Sequence, residues 1–85
     1  GLIMLTHSLA SELGPEVRVN AVSPGAILWP DSGLQDSAKT EILQSTSLKR
    51  LGDPEDIAAT AEFLIEADYV TGQVVAVDGG RLINI

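Results

Sequence analysis

Apolar residues recur along this chain with two different periods, and the switches between them mark out its elements. Leu2, Leu5, Leu9 and Leu13 follow one another at spacings of three and four, which predicts a helix over residues 1 to 13. Gly14-Pro15 ends it, glycine suiting the C′ position and proline being unable to continue a helix. Val17, Val19, Ala21 and Val22 then form the nearly continuous apolar run of a strand over residues 17 to 23, in a parallel sheet covered on both faces. Pro24 removes a backbone donor, and Gly25 permits a positive φ or the close approach of another molecule, so the chain leaves the sheet sharply there.

The stretch from Pro24 to about Asp36 shows no period and contains Trp29; structureless segments of this length are usually functional or disordered. Leu34, Ala38 and Ile42, spaced by four, predict a short helix over 37 to 46 with Asp36 or Ser37 as its cap. A stronger start follows. Asp53 is placed as N-cap and Pro54 at the first helical position, while Glu55 and Asp56 put negative charge on the positive end of the helix dipole. Ile57, Ala58, Ala61, Leu64 and Ile65 supply the expected buried stripe through about Ala67. Residues 73 to 77 read as a second strand, bounded by Thr71-Gly72 and Asp78-Gly79-Gly80. Strand, helix and strand make a crossover unit expected to be right-handed with parallel strands. The fold class is therefore α/β, in one structural unit with no internal repeat or linker.

No Ser, Thr, Asp or Asn precedes the first apolar residue, so the first helix reads as cut rather than begun. A chain of 85 residues buries only about 60 to 65% of its unfolded surface, which predicts a thin margin of stability. No apolar run approaches the roughly 20 residues that span a bilayer, no secretory signal is visible at the start, and there is no cysteine. A soluble, cytoplasmic protein without disulfides or thiolate metal sites is expected. A formal charge of −7, with five scattered basic residues, argues against nucleic acid and anionic membrane as partners.

Ligands of open α/β sheets bind at the carboxyl ends of strands, which makes Pro24-Gly25 the candidate site; a plain strand end explains the same pair equally well. His7, alone on a helix, is expected to be exposed and not catalytic. Asp53, Glu55 and Asp56 are explained by helix capping and do not require an acid/base role. Asn20 and Asp78 stand where their side chains bond neighbouring backbone. Gly79-Gly80 lacks the strand-turn-helix setting of a dinucleotide loop and reads as a turn. No metal site is proposed.

Four motifs, Asn20-Ala-Val-Ser-Pro-Gly25, Arg50-Leu-Gly-Asp-Pro-Glu-Asp-Ile-Ala58, Tyr69-Val-Thr-Gly-Gln73 and Val77-Asp-Gly-Gly80, cover almost the whole chain. In order and spacing they resemble the C-terminal part of a short-chain dehydrogenase/reductase. Within that family, Pro24-Gly-Ala-Ile-Leu-Trp-Pro-Asp31 resembles the bacterial pteridine reductases, which reduce dihydropterins and dihydrofolate with NADPH. The resemblance implies that residues 1–85 are the C-terminal portion of a Rossmann-like, doubly wound NAD(P)-binding domain. The glycine-rich phosphate loop, the catalytic serine and the Tyr-x-x-x-Lys pair would then lie upstream. Tyr69 is followed four residues later by Gln73, where that pair requires lysine, so this chain alone is expected not to catalyse.

By the same resemblance, Pro24, Gly25, Ala26 and Ile27 bind the cofactor, the backbone of Ile27 holding the nicotinamide carboxamide. NADPH is the implied cofactor, with NADH left open. Trp29 stands where many members place a threonine that holds the cofactor's phosphates, a departure that puts that contact in doubt. Leu28, Trp29 and Pro30 face the substrate, a flat apolar wall suited to a planar heterocycle; the alternative is a tryptophan packed on its own helix. Asp31 as a ligand for pterin amino groups competes with an ordinary exposed aspartate. A 3-oxoacyl carrier-protein reductase is the runner-up, and a non-catalytic truncated product that only self-associates is the other reading, since the edge of 17 to 22 invites a partner strand. The intact enzyme is expected to be a homotetramer, with the first helix at one contact and the helix of 53 to 67 and the last strand at another; the apolar tail Leu82-Ile-Asn-Ile85 fits an interface or an equally ordinary frayed terminus.

Overall fold

The computed structural model describes residues 1–25 and 35–81, which form α1 (Leu2–Leu13), β1 (Ala21–Pro24), α2 (Asp36–Ser45), α3 (Pro54–Glu66) and β2 (Val74–Val77). The expected α/β architecture is present. Among the described residues β1 and β2 make a two-stranded parallel sheet in the register Ala21↔Val74, Val22↔Val75, Ser23↔Ala76, Pro24↔Val77. Parallel strands need a crossover, and α3 supplies it, lying against both strands while α1 packs on β2.

β1 is shorter than its apolar run predicts. Residues 17 to 20 lie outside the strand, and at 19 and 20 side chains take over the bonding: Val19 N–H donates to Thr71 Oγ1 (3.0 Å), and Gln73 N–H donates to Asn20 Oδ1 (3.1 Å). Ladder-type bonds flank these, from Gly72 N–H to Val19 O (2.7 Å) and from Ala21 N–H to Gln73 O (2.8 Å).

α1 has Gly1 as N-cap and no side-chain cap bond, as its sequence implies. Its leucine stripe is not what it buries. Thr6 and Ala10 are the buried positions, whereas Leu2, Leu5 and Leu13 are exposed together with Ile3 and Met4. The reason is the neighbour. α1 meets the start of β2 at Gly72, where an added Cβ would lie 3.5 Å from that of Ala10, so small residues make the contact. Thr6 satisfies its buried hydroxyl by donating to Leu2 O (2.7 Å). Gly14 ends the helix with extended backbone, φ −69°, rather than in the left-handed C′ conformation, and precedes a cis Gly14-Pro15 peptide.

α2 begins one residue before its predicted start, with Gln35 at the N-cap. Asp36 therefore sits in the first turn, and neither it nor Ser37 caps; Leu34 lies outside the described residues. α3 follows its signals closely. Asp53 Oδ1 accepts from Glu55 N–H (2.9 Å) and Asp56 Oδ2 accepts from Asp53 N–H (2.8 Å), with Pro54 opening the helix. Leu64 is buried and Ile57 and Ala61 half-buried, but Ala58 and Ile65 of the predicted stripe are exposed, Ile65 at 73%.

The chain exposes 6150 Å², against roughly 4800 Å² for a folded monomer of its mass. None of the described side chains is fully buried, and the apolar core reduces to Ala10 and Leu64. None of the described helices is long and apolar enough to cross a membrane.

Candidate functional site

The carboxyl ends of β1 and β2 meet at a turn that binds them together. Pro24, opposite Val77 in the register, is exposed, and the half-buried Gly25 donates its N–H to Val77 O (2.8 Å). Gly25 does not use the left-handed region. Its requirement is space: a Cβ there would lie 2.7 Å from both Cα and Cβ of Asp78. The close approach for which this glycine is suited is thus made by the neighbouring strand's end. Ala26, Ile27, Leu28, Trp29, Pro30 and Asp31 lie outside the described residues.

Beyond β2 the chain reverses through Asp78, Gly79 and Gly80. Both glycines have positive φ (63° and 86°), and Gly80 N–H donates to Asp78 Oδ1 (2.9 Å), the local side-chain bond expected of Asp78. The segment after α2 lies on this turn. Leu48 N–H donates to Gly79 O (2.9 Å) and Ser47 Oγ to Gly80 O (3.3 Å). Thr46, buried, turns its hydroxyl back to Ile42 O (2.6 Å) and leaves its methyl against Gly79.

A cavity of about 530 Å³ opens beside the turn, lined by Thr46, Arg50, Asp56, Thr60, Val77 and Asp78 among others, and it does not take in Pro24 or Gly25. Arg50 forks onto Asp56 at its rim, Nη1 to Oδ2 at 3.0 Å and Nη2 to Oδ1 at 3.1 Å. The guanidinium, helped by the Asp53 N–H, holds the Asp56 carboxyl below the usual carboxylate range, and Asp56 in turn raises Arg50. The pair fastens the first turn of α3 to the segment preceding it. That is a structural use of Asp53 and Asp56, as capping predicts.

The opposite end of the sheet holds a group that the sequence does not advertise. Arg18 Nη1 donates to the carbonyls of Leu64 (2.8 Å), Ala67 (2.9 Å) and Val70 (3.2 Å), and Nη2 to that of Ile65 (2.8 Å). Those of Leu64 and Ile65 belong to the last turn of α3, where carbonyls lack an intrahelical partner, and those of Ala67 and Val70 lead out of it, Ala67 O also accepting from Val70 N–H at 3.2 Å. Asn20 Nδ2 joins them on Val70 O at 3.0 Å. No local signal points to Arg18, because its partners lie some fifty residues away. His7 is exposed, and among the described residues no group of three His, Cys, Asp or Glu side chains is placed to hold a metal ion.

A family model described as enoyl-(acyl carrier protein) reductase matches residues 1–81. The chain belongs to the short-chain dehydrogenase/reductase family. The 3-oxoacyl-[acyl-carrier-protein] reductase FabG of Thermotoga maritima is 44% identical over 98% of this chain and 35% of its own length. A short-chain dehydrogenase/reductase of Brucella melitensis superposes with a TM-score of 0.85 at 42% identity, over 94% of this chain and 34% of that one. A small-chain dehydrogenase solved in complex with NADPH superposes with the same TM-score of 0.85 at 34% identity, over 96% of this chain and 39% of that one. The Rossmann fold of these structures is the one that the parallel β1-β2 pair belongs to. The chain spans about a third of the length of the curated relatives it matches. What these relatives share with it as short-chain reductases is family and fold; no comparison selects pteridine reductases among them.

Proposed function

We propose that these 85 residues form the nicotinamide side of an NADPH-dependent short-chain reductase acting on a ketone of the 3-oxoacyl thioester class. The observation that carries this reading is the exposure of Pro24 at the carboxyl end of β1. Pro24 is exposed there at the point where the chain leaves a parallel sheet, which is where ligands of such sheets bind. Pro24 offers no N–H and that of Gly25 is committed to Val77 O; the family resemblance gives the carboxamide to the backbone of Ile27. A relative solved with NADPH supports this cofactor, one solved with NADH keeps NADH open as the alternative, and 3-oxoacyl carrier-protein reductases among the relatives support the substrate class.

The reduced nicotinamide supplies a hydride when bound. This chain's part is to anchor that ring through the backbone of 24 to 27 and to wall the substrate with Leu28, Trp29 and Pro30. The Tyr-x-x-x-Lys pair that donates the proton comes from polypeptide outside these residues, since Tyr69 is followed by Gln73 and stands fully exposed. The whole protein, a homotetramer, works in the cytoplasm.

A second reading, reduction of the C=N bond of a dihydropterin, rests on Trp29-Pro30, a flat apolar surface suited to a planar heterocycle. One experiment separates the two. The full-length polypeptide carrying this chain is assayed for NADPH oxidation with an acetoacetyl thioester and with dihydrobiopterin, before and after Trp29→Ala. Faster turnover of the thioester than of the pterin, with the thioester KM raised by Trp29→Ala more than that for NADPH, is the expected result. Turnover of the pterin with a KM raised tenfold or more by Trp29→Ala, and an unchanged KM for NADPH, replaces it with the pteridine reading. No NADPH oxidation with either removes both.

A further inference from the structure

Neither strand carries the alternation of apolar and polar side chains that fixes a register. Val74, Val75, Ala76 and Val77 are apolar at every position, and Ala21, Val22, Ser23 and Pro24 do not alternate, so a slip of β1 along β2 exchanges one small or apolar side chain for another. The pairing is nevertheless a single one, from Ala21 opposite Val74 to Pro24 opposite Val77. What distinguishes it stands one residue beyond each end of the ladder.

At the entry, Asn20 precedes Ala21 as Gln73 precedes Val74, and both ends of its carboxamide are used. Nδ2 donates to Val70 O (3.0 Å) and Oδ1 accepts from Gln73 N–H (3.1 Å). A slip of one residue carries the carboxamide about 3.3 Å along the strand and off both partners. At the exit, Gly25 follows Pro24 as Asp78 follows Val77, and a Cβ on Gly25 would lie 2.7 Å from Cα and Cβ of Asp78. Among residues 21 to 27 only Gly25 lacks a Cβ, so a slip of β1 by one or two residues sets a Cβ where none fits. Asn20 and Gly25 are as far apart in sequence as Gln73 and Asp78, so both conditions are met together in one alignment.

We infer that Asn20 and Gly25 are the two keys of one register lock: the carboxamide holds β1 at a single position along β2, and the glycine rejects the neighbouring positions. Asn20 is thereby a positioning residue for the bond from Gly25 N–H to Val77 O (2.8 Å), although its own bonds lie at the other end of the strand. The lock does not depend on the reductase reading.

The two keys stand about 16 Å apart along an extended strand, farther than the roughly 7 to 10 Å beyond which the effects of independent substitutions multiply in the unfolding constant. The experiment is a double-mutant cycle in the full-length polypeptide, by chemical denaturation at one fixed protein concentration. Asn20→Ala is expected to raise the unfolding constant about tenfold and Gly25→Ala about a hundredfold. Once Gly25→Ala has displaced the register the carboxamide has already lost its partners, so adding Asn20→Ala should raise the constant by less than about threefold more. Asp53→Ala, at the far end of α3 and outside the sheet, supplies the control and should multiply in full with Gly25→Ala. A further rise of threefold or more on adding Asn20→Ala overturns the lock. Should Gly25→Ala fail to fold, hydrogen exchange decides: the Gly25 amide is expected to exchange at least about fivefold faster in Asn20→Ala than in Asp53→Ala, and a smaller difference between the two variants overturns the lock.

Discussion

The two ends of α3 are finished in opposite ways. Its amino end is closed from within: Asp53 and Asp56 cap one another's backbone three residues apart, and Arg50, six residues before Asp56, grips the result. Its carboxyl end has no basic residue in the last turn and is closed by Arg18, which arrives from before β1 to collect four carbonyls. One end is a local device whose every group lies between residues 50 and 56. The other forms only when two segments some fifty residues apart have found each other. A helix can therefore begin by itself and yet depend on the sheet for where it stops.

The largest effect is expected from breaking the distant end. Arg18→Met keeps the length of the stem but leaves the Leu64 and Ile65 carbonyls to water or to nothing, while Ala67 O keeps the Val70 N–H and Val70 O the Asn20 amide, and should destabilise the intact protein by about 2 to 3 kcal/mol in chemical denaturation. Arg18→Lys should recover less than half of that, because one ammonium with three donors cannot serve four diverging carbonyls. Equal stability of the methionine variant would show that the end of α3 closes without Arg18. At the local end, Asp53→Ala should cost about 1 kcal/mol by the same measurement and leave hydrogen exchange around 67–70 unchanged. A loss as large as that from Arg18→Met would erase the contrast between the two ends.

The smallest effect concerns pH. The Asp56 carboxyl is held below its ordinary range first by the Arg50 hydrogen bond and then by the Asp53 N–H. A depressed folded pKa stabilises fully above the unfolded value near 4, and that stabilisation fades as pH falls through the lower folded value. Stability should thus be flat in this respect from about pH 5 to 8 and decline below about pH 4, with Asp56→Asn removing part of the decline in acid titrations of thermal unfolding. A variant with the parent's acid profile would mean that Asp56 contributes nothing to it.

This contrast also explains which parts of the molecule were legible in advance. Asp53-Pro54-Glu55-Asp56 states its own structure, because every group it uses lies within one turn, and α3 starts where that pattern puts it. The strand β2 between Thr71-Gly72 and Asp78-Gly79-Gly80 was legible for the same reason. The helix α1 was legible as a helix but not in its buried face, since the leucine stripe says which side is apolar and Gly72 decides which side touches the sheet. The shortening of β1 turned on the side chains of Asn20 and Thr71 taking ladder bonds, a choice open only once both segments are in place. At the candidate site the Pro24-Gly25 break was visible, whereas the packing of Thr46 and Ser47 on the glycine turn joins residues more than thirty apart and leaves no mark on either segment.

The narrow gap between Gly25 and Asp78 has an evolutionary corollary. Since nothing larger than a hydrogen atom fits at that Cα, a relative that had lost every catalytic ability would still be obliged to keep glycine there for as long as its two strands lay side by side. A glycine kept at position 25 would therefore record architecture, and the trace of lost or altered chemistry is to be sought in the residues that come immediately after it.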